Sequence, residues 1–243
     1  MNLYTYASPA TFYQLAGKLI PWFGWGAGLL TVWGFYVSFF MAPTDFQQSE
    51  AYRIIFIHVP AAWMSMFIYL VMAFWGAIGL AFNTRLSFMM ARALAPTGAM
   101  FTFVALWTGA WWGKPMWGAW WVWDARLTSE LILLFLYVGI IALWAAIDDI
   151  KRGDRAGSLL TLIGAINVPI IYFSVKWWNT LHQGATIKPS GTSMDAIMLQ
   201  GMLVMAFAAW FYTIAVALVR VRRIILERER HTEWVKAILE KGD

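Results

Sequence analysis

Six runs of apolar residues, each about the length needed to cross a lipid bilayer, govern what this chain can fold into. They occupy residues 20–41, 61–82, 93–112, 131–147, 157–175 and 196–219. A hydrocarbon core of about 30 Å takes about 20 such residues as a helix, so the pattern predicts an all-α polytopic membrane protein with six transmembrane helices. No run carries a charge at its middle. Pro43 stops the first and Pro60 opens the second, where a missing N–H costs nothing, whereas Pro96 and Pro169 fall inside runs and are expected to kink them. The first 19 residues lack the apolar stretch and small-residue cleavage pattern of a signal peptide, so the first helix is expected to remain in the mature protein. Composition agrees: 61% of the 243 residues are hydrophobic and 13% charged, against roughly a quarter charged in soluble domains. The absence of cysteine excludes disulfides, thiolate metal sites, iron–sulfur clusters and a thiol nucleophile.

The basic residues set the orientation. Lys18, Arg85, Arg92, Lys151, Arg152, Arg155, Arg220, Arg222, Arg223, Arg228, Arg230, Lys236 and Lys241 fall on one side of the six runs; Arg53, Lys114, Arg126, Lys176 and Lys188 fall on the other. The excess places both termini in the cytoplasm. The net charge of +5 therefore marks a membrane face and predicts no nucleic-acid partner; the run Arg220 to Arg230 reads as a juxtamembrane helix drawn to anionic lipid headgroups. The expected organisation is a membrane domain over 1–219 and a basic cytoplasmic tail over 220–243.

Parity puts the connections 42–60, 113–130 and 176–195 on the outer side, and these hold the unusual chemistry. His58 and His182 are both there, 124 residues apart in sequence, while His231 lies in the tail and has no assigned role. A lone interfacial histidine is usually structural; two on one face suit a shared metal or metallocofactor. Zinc would want a third ligand, and Asp45, Glu50, Asp124, Glu130 and Asp195 show no ligand spacing. Haem iron needs only two axial imidazoles. Trp107, Trp111, Trp112, Trp117, Trp120, Trp121 and Trp123 put seven of the 17 tryptophans in 17 residues, where an even spread would place about one. An interfacial belt would distribute them over all helix ends. Concentrated around Gly118 and Ala119, they form an apolar aromatic platform on which a porphyrin could stack, with Arg53, Lys114 and Arg126 able to pair with its propionates. Asp124 is read as a helix cap or as the salt-bridge partner of Arg126, and Thr128 or Ser129 as the cap of the fourth helix, with Glu130 in its first turn.

The segment Trp117-Gly-Ala-Trp-Trp-Val-Trp-Asp124-Ala-Arg-Leu-Thr-Ser129 resembles the tryptophan-rich WWD signature of the haem-handling superfamily of cytochrome c biogenesis. The likeness extends over nearly the whole chain, through Ala51-Tyr-Arg-Ile-Ile-Phe-Ile-His58-Val-Pro-Ala-Ala-Trp63, Gly113-Lys-Pro-Met-Trp117 and Trp177-Trp-Asn-Thr-Leu-His182-Gln-Gly184. Within the superfamily it is similar to the CcmC branch: larger relatives that ligate haem to apocytochromes have more spans, and some carry extra histidines inside the membrane, whereas no histidine here is expected within a span. The resemblance implies a protein of the bacterial cytoplasmic (inner) membrane that binds haem b as cargo on the periplasmic side and works with CcmA, CcmB and CcmD in an ABC-type complex. It implies His58 and His182 as axial ligands, and the WWD loop, about 113–130, as the meeting place of haem and the chaperone CcmE, to which a haem vinyl becomes attached. Trp117, Trp120, Trp121, Trp123, Arg53 and Arg126 are then expected to hold haem, and Asp45, Gln48, Trp117, Trp120, Trp123 and Asp124 to face the chaperone. No outer-loop residue presents an obvious acid–base pair, so its part in the attachment would be proximity and orientation. The competing reading is an ABC-transporter permease subunit with no haem site. An electron-transfer cytochrome b, with its histidines inside a bundle, fits less well.

Overall fold

The computed structural model of the chain describes residues 7–182, 187–188 and 191–240. Gln183 and Gly184, at the end of the His182 segment, and Lys241 lie outside the described residues, and Lys188 is described in its backbone alone. The regular elements are α1 (Pro9–Tyr36), α2 (Ile55–Phe82), α3 (Arg85–Trp117), α4 (Ala125–Ala146), α5 (Ile150–Gly164), α6 (Asn167–Trp177), α7 (Ala196–Arg228) and α8 (Glu233–Leu239). A two-residue antiparallel pair, β1 (Ile187–Lys188) with β2 (Gly191–Thr192), lies between α6 and α7. A π-helical turn, Val37–Met41, prolongs α1, and a 3-10 turn, Glu50–Ile54, leads into α2. Six segments are long and apolar enough to cross a membrane, α5 and α6 together making the fifth. The six-span all-α architecture is the one the apolar runs predict.

Most of the helices overrun their apolar runs. A backbone near lipid keeps its N–H and C=O groups satisfied most cheaply by continuing its own ladder, and polar side chains do not stop it. The largest consequence is at α2, which starts at Ile55, so Pro60 sits inside the helix instead of opening it. His58 is therefore in the first turn of a crossing helix rather than in a loop, and the expectation that no histidine lies within a span fails there. At the other extreme, α5 ends at Gly164 and α6 resumes at Asn167. Pro169 cannot donate to the carbonyl of Ala165, so the ladder gives way to shorter bonds, from Ile166 N to Ile163 O at 3.3 Å and from Val168 N to Ala165 O at 3.1 Å. Pro96, by contrast, is accommodated within an unbroken α3.

The core is an aromatic and aliphatic seam between α2, α4 and α6. Tyr69, Met72, Leu133, Tyr137, Ile140 and Ile171 are all fully buried there. α1 stands apart, packing chiefly along α7. The approach is close because Gly26 faces Phe211 and Gly34 faces Met205; a Cβ at either would come within 2.5 Å and 2.8 Å of those side chains. The remaining face of α1 bears Trp22, Trp25, Leu29 and Val32, all exposed, which suits lipid.

The start of α1 meets α7 and α8 at one end of the bundle. Tyr13 of α1 lies 5.8 Å from Trp234 of α8, and the Arg222 guanidinium sits 4.1 Å over the Tyr13 ring. At this end Asp154, 4% exposed, is held by Arg92 Nε at 2.7 Å and by a bidentate Arg228 at 2.8 and 2.9 Å. Breaking such a buried cluster leaves uncompensated cations, at about 3–5 kcal/mol. Asp154→Ala is expected to lose stability on that scale, read as a lowered unfolding temperature of the detergent-solubilised protein, and Asp154→Asn to lose less.

Candidate functional site

At the opposite end, near the connections 42–49, 118–124 and 178–182, lies a small, partly open cavity. His58, Trp117, Arg126, Glu130 and His182 line it together with apolar side chains of α2, α3 and α4. Two histidines far apart in sequence thus share one wall. The lining brings two imidazoles, one guanidinium and one carboxyl group together among apolar side chains.

Each histidine is braced. His58 points from α2 toward α3, where a Cβ at Gly109 would lie 3.1 Å from its Cε1, so only glycine leaves the ring undisturbed. Its Nδ1 is 3.1 Å from Thr108 Oγ1, whose own proton goes to the Val104 carbonyl at 2.6 Å. The threonine oxygen is therefore the acceptor, Nδ1 carries the hydrogen, and the Nε2 lone pair is left for a metal. Trp112 packs edge-on at 5.6 Å and donates its indole N–H to Gln48 Oε1 at 2.8 Å. Gln48 is itself fixed by an Asx turn in which Asp45 Oδ1 accepts from the Gln47 and Gln48 amides.

His182 is positioned from α4. Asp124 caps that helix by accepting from the Leu127 amide at 2.8 Å, and its other oxygen accepts from the Thr180 hydroxyl. Thr180 in turn takes the His182 amide at 3.1 Å, and the imidazole Nδ1 lies 3.6 Å from the carboxylate, with no hydrogen-bond partner among the described residues. Trp117 packs against the ring at 5.0 Å. Burial lowers the His182 pKa below the ordinary imidazole value, and nearby Arg126 adds to this, so the neutral, ligating form is favoured. Burial pushes the Asp124 carboxyl up, yet the Leu127 and Thr180 hydrogen bonds outweigh it and hold the group below its ordinary value.

The cap of α4 is thus Asp124, in place of the expected Thr128 or Ser129, and Asp124 makes no ion pair with Arg126 within 4 Å. Arg126 lines the cavity and gives one N–H to the Ile171 carbonyl at 3.1 Å. Arg53 lies elsewhere: it bonds the Ser38 and Ala42 carbonyls at 2.7 and 3.1 Å and pairs with Glu50, locking the end of the first crossing to the start of the second. Of the tryptophans, Trp117 alone lines the cavity. Trp111 and Trp120 pack edge to face at 5.3 Å, as do Trp121 and Trp123 at 5.4 Å. Trp120 and Trp123 are exposed, at 50% and 77%. Gly118, at φ +77°, ends α3 in the left-handed conformation that glycine adopts freely, with its amide on Lys114 O at 3.0 Å. Thr108, Gly109 and Thr180 went unremarked in the sequence, having no signal beyond their neighbours. Glu130 had one: it is ionisable and adjoins an apolar run.

A six-span membrane protein with a paired-histidine cavity under a tryptophan-rich loop is the class these features define. Comparison with known proteins narrows it. The family profile described as "Heme exporter protein C" matches residues 2–236. The chain is 48% identical to the Escherichia coli protein of that name over 242 residues, covering 99% of this chain and 98% of the relative. It is 47% identical to the Bradyrhizobium diazoefficiens protein of the same name over 229 residues, 94% and 87% of the two chains. A Marchantia polymorpha mitochondrial protein, named as ccmC-like and for cytochrome c biosynthesis, is 46% identical over 197 residues, 81% and 84% of the two chains. The chain belongs to the haem exporter protein C (CcmC) family.

Removing the Asp124 carboxylate takes away a helix cap and the anchor of Thr180. Asp124→Ala is expected to cost about 1–2 kcal/mol and to speed proteolysis within 178–182, with Asp124→Asn closer to wild type in both measurements.

Proposed function

We propose that the protein binds haem at this cavity and hands it to a chaperone during c-type cytochrome maturation. The observation that supports this most is that His58 and His182 line one cavity, each with Nδ1 turned toward a protein oxygen. Two neutral imidazoles so held would take the axial positions of a haem iron and leave no site for exogenous ligands, which favours presentation of the cargo over oxygen chemistry. Haem b, lacking a covalent tether, is the cargo of this reading. The names of the relatives, haem exporter and cytochrome c biosynthesis protein, point the same way.

The chain's contribution is positional. His58 and His182 fix the iron, Trp117 flanks the ring and Arg126 is the cation within reach of a propionate. The exposed Trp120 and Trp123, with Trp121 behind them, give the partner a rigid apolar surface beside the cavity. In this reading CcmE docks there and receives the haem vinyl, with Asp45, Gln48 and Asp124 holding the loops that frame the contact. Asp45 and Gln48 also brace Trp112, so substitution at either would disturb haem as well as partner. Arg53 acts from further off, through the loop it locks. In this reading CcmA, CcmB and CcmD complete an ABC-type complex in the bacterial cytoplasmic membrane, and the excess of Lys and Arg at the terminal end supports a periplasmic cavity.

The test is the absorption spectrum and haem content of the purified protein, wild type beside His58→Ala and His182→Ala, co-expressed with the chaperone. Low-spin haem in wild type, lost or altered in both variants with the chaperone left without covalent haem, is expected. A haem-free wild type, or variants with its spectrum, would overturn the reading and favour a permease subunit. The Trp120→Ala, Trp123→Ala double variant is expected to keep its haem while lowering transfer at least several-fold; an unchanged yield of haem-bearing chaperone would remove the platform from the account.

A further inference from the structure

One carboxylate in the cavity wall has no part in holding the histidines. Glu130, 7% exposed, lies on α4 one turn deeper than Arg126 and lines the same cavity as His58 and His182. Its only side-chain hydrogen bond among the described residues is with Ser65 Oγ, at 2.7 Å, and that hydroxyl also lies 2.8 Å from the Ala62 carbonyl. Ser65 is fixed in turn by Tyr137, whose hydroxyl donates to its carbonyl at 2.7 Å. No Lys or Arg among the described residues comes within 4 Å of Glu130. An ionisable side chain kept inside a membrane span, with so little to neutralise it, is costly unless something else in the site answers its charge.

Resting on the haem-binding reading, we propose that Glu130 sets the oxidation state of the bound iron, its carboxylate favouring ferric over ferrous haem. With two neutral imidazoles, the iron and porphyrin core carries one positive charge when ferric and none when ferrous. An ionised carboxylate in the same low-dielectric wall stabilises the first and not the second. The role needs no electron donor from this chain, because it concerns only the relative stability of two states of the cargo. It is a positioning of charge beside the cargo, separate from ligation.

The experiment is a spectroelectrochemical titration of the full-length, haem-bearing protein in detergent, comparing wild type with Glu130→Gln and Glu130→Asp. The amide of Glu130→Gln keeps an oxygen for Ser65 and removes the charge. It is expected to shift the ferric-to-ferrous balance at least tenfold toward ferrous, raising the midpoint by at least 59 mV for one electron. Glu130→Asp is expected to stay nearer wild type. Glu130→Met serves as a second neutral variant should Glu130→Gln not accumulate. A neutral variant that binds haem at the wild-type midpoint overturns the proposal, as does failure of both neutral variants to hold haem, which would make Glu130 a binding or folding residue. A wild type that carries no haem sinks the parent reading instead, so the two failures are distinguishable.

Discussion

The hydrogen bonds of the Asp124 carboxylate are the joint on which the cavity depends. One oxygen takes the Leu127 amide and fixes where α4 begins; the other takes the hydroxyl of Thr180, 56 residues later. A helix start and the segment bearing His182 are therefore held by one side chain. The indole of Trp117 supplies the apolar half of the contact. His58 needs no such device, being carried by the first turn of α2 and packed against Gly109 and Thr108 of α3. The site thus joins a rigid half built on two helices to a half whose geometry hangs on a cap.

The two ends of the bundle solve the problem of charge near lipid differently. At the terminal end, buried acids are matched by arginines: Asp154 by Arg92 and Arg228, Glu229 by Arg85. At the cavity end, Glu130 and Arg126 line an open space without pairing. Matched charges hold helices together; unmatched ones spend the cost of burial on whatever enters. The contrast separates an end braced by buried ion pairs from an end that leaves its charges facing a cavity.

Much of this was legible in the sequence. The count of crossings follows from apolar length, and the parity of the connections brings His58, His182 and the tryptophan cluster to one face. What escaped was anything set by helix ends. Apolar runs report lipid contact, whereas helix ends report where a backbone finds a cap or a proline, and the two differ by several residues at each terminus. That difference moved His58 into α2 and Trp117 into α3. It also separated the tryptophans, since Trp117 on the last turn of α3 reaches the cavity while Trp120 and Trp123, beyond the Gly118 turn, face outward. Arg53 illustrates the other limit: its type and location suited an anion, but its donors were claimed by carbonyls that no sequence pattern exposes.

The placement of α1 has a consequence for synthesis. Its principal partner is α7, which begins at Ala196, about 160 residues after α1 ends. At bacterial elongation rates of about 5–20 residues per second, α1 waits on the order of ten to thirty seconds in the bilayer before its partner emerges. During that interval its glycine-lined face has only lipid against it, and the middle of the bundle can assemble first. Joining the last helix to the first would then be the closing event of assembly, drawing the two chain ends together and bringing α8 onto Tyr13.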